Sequence, residues 1–105
     1  MLTVRHTLTA AHAHFTSGRF ACPVAAIVAA VDDALPAPSS VDWERSPVDA
    51  RTRLNERGNA IRMAIMKIKY TLGMHRGELL ADWAAHKDTT HAQIAGAFTL
   101  AIASP

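Results

Sequence analysis

The sequence predicts an all-α fold: a compact bundle of four or five helices around one long central helix at about residues 47–72. Apolar residues recur at three- and four-residue intervals along the chain, which places them on one face of a helix. No segment sustains the period-two alternation of a strand, so no sheet is expected. Alanine supplies 21 of the 105 residues, against five glycines and five prolines, a helix-prone composition that excludes collagen-like and low-complexity classes. The length suits one domain, residues 1–105, since a second core needs its own interior.

Val4, Leu8, Ala11 and Phe15 form the stripe of a first helix from about Leu2 to Phe15, and Thr16, Ser17 and Gly18 interrupt it. Cys22 then reads as an N-cap with Pro23 at the first helical position, where its missing N–H costs nothing. Val24, Ile27, Val28, Val31 and Leu35 continue that second helix until Pro36, and a loop is expected from Pro36 to about Arg45. Ser46-Pro47-Val48-Asp49 resembles a capping box and opens the long helix. Its stripe of Leu54, Ile61, Ile65, Ile68 and Leu72 falls within about 60° of arc, and Gly73 ends it. Gly58 with Asn59 marks a bend or a close helix contact. Glu78 to His86 makes a short fourth helix. Thr89 or Thr90 caps a fifth carrying Ile94, Phe98 and Ile102.

The single cysteine forbids an internal disulfide and suits a reducing compartment. The longest nearly unbroken apolar run, Ala21 to Val31, has 11 residues where a membrane span needs roughly 20, so a soluble, cytoplasmic protein is expected. The net charge of +2 is unevenly placed. Residues 50–77 hold seven cations (Arg51, Arg53, Arg57, Arg62, Lys67, Lys69, Arg76) against Glu56 alone, while the segments on either side are each −2. Such segregation steers anionic partners to one region or is matched internally by the acidic flanks.

Two constellations on the long helix bear on function. Met63, Met66 and Tyr70 lie roughly 150° around the cylinder from the isoleucine stripe. The helix is thus apolar on two sides, as a helix packed between two neighbours or one with a docking face would be; solvent exposure decides. Arg51, Arg62 and Lys69 project within about 20° of one another, a column some ~27 Å long. It reads either as a solvated, salt-bridged face or as a cationic face for an anionic partner. Arg53, Arg57 and Lys67 point to the opposite flank, and no aromatic residues interleave to stack bases.

Other chemistries are weakly marked. Six histidines include the close pairs His12/His14 and His86/His91, but neither spacing puts two ligands on one helical face, and no metal site is expected. Cys22 at a helix start, with His12 or His14 as a base, is the one arrangement that a thiol enzyme could use; a lone cysteine among Ala, Val and Ile is otherwise a small buried residue. Asp32 and Asp33 are adjacent and diverge. Thr90-His-Ala-Gln93-Ile94-Ala95 looks like the first helix of a helix-turn-helix, yet no recognition helix follows it; with Glu78 to His86 as first helix, the second offers bases only His91, Gln93 and Thr99.

Gly18-Arg-Phe-Ala-Cys22 followed by Ala25-Ala26-Ile27, and Trp83 leading to Thr90-His91-Ala92 and Phe98, together cover about a third of the chain. They resemble a family of small uncharacterised bacterial and phage-associated helical proteins, whose members commonly carry Trp-Asn-Asp where this chain has Trp83-Ala84-Ala85. The resemblance implies a mobile-element setting and no established activity.

The expected function is therefore non-enzymatic: stoichiometric binding of a protein or nucleoprotein with an acidic surface, through Arg51, Arg62, Lys69, Met63, Met66 and Tyr70, without cofactor or membrane. A phage-encoded inhibitor of bacterial defence, such as an anti-CRISPR protein, is the class this size and lack of motifs bring to mind. One alternative is a nucleic-acid-binding regulator using the same cationic column as a homodimer. The other is a thiol or metal enzyme using Cys22 and the histidines.

Overall fold

A computed structural model describes residues 2–105, and their regular structure is entirely helical. Four helices of 12 to 25 residues form the bundle: α1 (Val4–Thr16), α2 (Pro23–Ala34), α4 (Pro47–Thr71) and α6 (His91–Ala103). Two six-residue helices, α3 (Ser40–Arg45) and α5 (Leu80–Ala85), complete it.

Each boundary has a local cause. Thr3 Oγ1 accepts the His6 N–H at 3.1 Å and starts α1. Gly18, at φ 82°, takes the left-handed conformation that lets the chain reverse into α2. Pro23 opens α2 at its first turn, while Cys22 caps it by backbone position alone, without a side-chain bond. Gly73, at φ 67°, ends α4: its N–H reaches the Tyr70 carbonyl and the Met74 N–H reaches that of Lys69, each at 3.0 Å, the two bonds of a Schellman cap. Thr90, not Thr89, caps α6 in a reciprocal box with Gln93, with bonds of 3.1 and 2.8 Å.

The expected loop from Pro36 to Arg45 is only half a loop. Ser39 and Asp42 form a complete capping box, with Asp42 N–H to Ser39 Oγ at 3.2 Å and Ser39 N–H to Asp42 Oδ2 at 2.9 Å, and α3 follows. This box takes something from the next one. Ser46 Oγ accepts the Asp49 N–H at 3.4 Å, but the Ser46 N–H is already given to the Asp42 carbonyl, so the α4 cap has one arm instead of two.

The core closes on α1. Leu8, Ala11 and Phe15 meet Ala26, Ile27 and Ala30 of α2, Ala64 and Ile68 of α4, and Ile94, Ala97, Phe98 and Ala101 of α6, with Leu80 at one end. Six of these residues are alanines, whose small side chains let backbones approach closely and give the alanine-rich composition its structural purpose. Phe15 and Phe98 lie 5.8 Å apart between ring centres, and His91 stacks on Phe15 at 4.3 Å.

The long helix has the expected span and touches α1, α2, α3 and α6, but it is not enclosed by them. Only Ala50, Ala64 and Ile68 are buried on it, and Leu54, first member of the predicted stripe, is 48% exposed. The chain is drawn out accordingly, 48 × 26 × 23 Å, with a surface of 6723 Å². A compact monomer of this mass exposes about 5,700 Å². Gly58 neither kinks α4 into a second helix nor makes a close contact: the helix is continuous, and nothing lies within 4 Å of where a Cβ would sit.

Two predictions follow from these local causes. Gly58→Ala should raise stability by about 0.5–1 kcal/mol, read as a higher urea midpoint with unchanged slope; a lower midpoint would mean that the position has a role the fold does not reveal. The Asp42 carboxyl sits below its ordinary value, held there first by the Ser39 backbone N–H, then by the Ser39 side chain, with Arg53 and Arg45 adding. A lowered aspartate stabilises above its unfolded value and loses that contribution as pH falls through its folded one, so α3 should fray selectively below about pH 4. The protection factors of the Ser39 and Asp42 amides, corrected for the intrinsic pH dependence of exchange, should fall there in the wild type, and Asp42→Asn should remove that fall.

Candidate interaction face

Helix α4 sorts its exposed side chains into adjoining strips. Met63, Met66 and Tyr70 are 41, 53 and 82% exposed, so the second apolar side faces solvent and is not a buried seam. Val48, 74% exposed, extends the same strip towards the helix start. Beside it runs the column of Arg51, Arg62 and Lys69, rotated by about 40–120° on an ideal helix.

The cations divide by flank. On the side turned to the bundle, Arg57 pairs with Asp32 at 2.5 Å and also donates to the Leu35 carbonyl, while Arg53 meets Asp42 at 3.3 Å. Two of the five acids of residues 1–49, Asp32 and Asp42, are engaged there. The column makes no ion pair: Arg62 donates to Asn59 Oδ1 at 2.9 Å, Lys69 to the Arg76 carbonyl at 3.1 Å, and Arg51 to no acceptor among the described residues. Internal matching of the charge by the acidic flanks is thus realised on one flank, and the cations of the other meet no carboxylate among the described residues.

The structure adds residues that sequence spacing could not group. Met63, Met66 and Tyr70 share an open groove with Val4 and Leu8 of α1 and Ile102 of α6, and Arg5 and Lys67 stand in its walls. These positions lie far apart along the chain and meet only because α1 and α6 pack side by side against α4.

The remaining candidates have structural partners. His14 Nε2 lies 2.7 Å from Asp33 Oδ2, tying α1 to α2, while His12 packs against Phe98 at 5.9 Å; the two rings diverge. His86 Nδ1 accepts the Asp88 N–H, and no group of three or more His, Cys, Asp or Glu side chains among the described residues is placed to hold an ion. Cys22 is half-buried and makes no hydrogen bond to either histidine. On α6, Gln93 is engaged in its cap, Thr99 bonds the Ala95 carbonyl and His91 covers Phe15, so each side chain that could face bases has an internal partner.

Residues that carry the family resemblance do structural work as well: Gly18 turns the chain, Ala26, Ile27 and Phe98 are core, and Thr90 caps α6. Among the described residues no helix is long and apolar enough to cross a membrane. No protein-family model, curated protein or solved structure matches the chain.

Proposed function

We propose that the protein acts by stoichiometric docking onto an acidic protein surface through the exposed side of α4, not by catalysis. The observation that carries this is the coincidence of two features on one helix side: the solvent-facing Met63, Met66 and Tyr70, and beside them Arg51 and Arg62, which meet no carboxylate among the described residues. Methionine and tyrosine suit an interface because one is pliable and the other brings rigid contact area with few rotamers to freeze. Neighbouring cations select an acidic partner and speed its approach. A phage-encoded inhibitor of bacterial defence, the anti-CRISPR class included, is a special case of this reading, and the resemblance to phage-associated helical proteins favours that setting.

Affinity capture from nuclease-treated bacterial lysate tests it. The tagged wild type should retain a protein at fixed stoichiometry, and the pair Met66→Asp with Tyr70→Asp, both at exposed positions, should lose it by about tenfold or more while keeping its helical circular dichroism. Retention of nucleic acid alone in a parallel capture from untreated lysate, weakening steeply with salt and abolished when Arg51, Arg62 and Lys69 become alanine, would instead establish the nucleic-acid reading.

A further inference from the structure

The groove shared by α1, α4 and α6 has a volume of about 440 Å³, and its floor is apolar: Val4, Leu8, Met63, Met66, Tyr70 and Ile102. The charged side chains lining it are both cations, Arg5 and Lys67. Arg5 Nε donates to the Ile102 carbonyl at 3.3 Å and Lys67 Nζ to the Pro105 main-chain oxygen at 2.6 Å, and neither meets an Asp or Glu side chain among the described residues. The tethers complement the negative end of the α6 dipole and hold positive charge at the groove walls. They also leave both terminal nitrogens of Arg5 free to donate.

We propose that this groove receives a short acidic amphipathic helix of a partner protein. The proposal rests on the docking function above and gives it a place and a partner chemistry. An apolar floor needs apolar side chains from its occupant. Met63 to Tyr70 spans two helical turns, about 10 Å, which matches anchors at i, i+3, i+4 and i+7 of a docked helix. Lys67 lies on one margin of the Met–Tyr strip and Arg62 and Lys69 on the other, so carboxylates on both edges of the incoming helix find a cation. A second copy of this chain is disfavoured, because a two-fold contact through this face sets cationic margin against cationic margin. Nucleic acid would meet the same charge, but a floor with Tyr70 as its single aromatic ring cannot stack successive bases.

The test uses the full chain with its methionine methyl groups labelled with carbon-13. It is titrated with a synthetic helix-forming peptide bearing leucines at i, i+3, i+4 and i+7 flanked by glutamates. A lysine-flanked version of the peptide and a duplex DNA oligonucleotide serve as comparisons. The methyl signals of Met63 and Met66 should shift with the glutamate peptide while that of Met74 stays in place. Arg5→Glu with Lys67→Glu should weaken binding by about tenfold or more, and Lys87→Ala, at an exposed position outside both the groove and the docking face, by less than about twofold. Should the double reversal disturb α6, Met66→Glu at its exposed position should abolish binding with unchanged circular dichroism. Unmoved Met63 and Met66 signals, equal binding of the lysine-flanked peptide, or shifts produced by DNA instead would overturn the assignment. If those signals stay still while lysate capture continues to depend on Met66 and Tyr70, the groove proposal fails and the docking function stands. Loss of both results removes both.

Discussion

Helix α4 is too long for the core that this chain can build. Its 25 residues extend about 37 Å, whereas α1 and α6, at 13 residues each, reach about 20 Å. Two partners of that length bury one side of the carboxyl-terminal half of α4 and little else. The amino-terminal half is left to α2 and the six residues of α3, and the side opposite the isoleucines meets α1 and α6 only across an open groove. From this mismatch follow the drawn-out shape, the surplus of surface and the exposure of three large apolar side chains on one strip.

Charge follows the same geometry. Where α4 passes α2 and α3, its arginines find Asp32 and Asp42, and these pairs fasten the unsupported half to the rest of the molecule. Such partly exposed pairs contribute little each, on the order of 1 kcal/mol or less, so the core around Phe15 and Phe98 carries most of the stability and the ion pairs set orientation. Beyond the reach of the acidic segments, the same helix keeps its cations unpaired. A helix with a cationic excess in sequence thus becomes a two-sided one in space, with the cations of one flank paired to the fold and those of the other meeting no carboxylate among the described residues.

Much of the fold was legible in residue spacing. The stripes of α1, α2 and α6 and the serine–proline start of α4 lie where the structure has helices, because each pattern is long enough for burial to dominate local preference. Helix α3 was hidden by Pro36 and Pro38, whose loop signal extends past the Ser39–Asp42 box that ends the loop. The docking strip was only half legible. Spacing places Met63, Met66 and Tyr70 together, but the same spacing describes a buried seam, and only the position of neighbouring helices separates the two. The groove walls were not legible at all: Arg5, Lys67 and Ile102 belong to three helices, and no local pattern joins them.

The measurement that bears most directly on this account is site-resolved oxidation of the methionines in the folded protein by dilute peroxide, followed by mass spectrometry, since sulfoxide formation tracks solvent access. Met63 and Met66 should oxidise well ahead of the half-buried Met74, at rates independent of protein concentration. Protection of Met63 and Met66 to the level of Met74 would contradict the account, for it would mean that the free protein already covers the strip on which the proposed function depends.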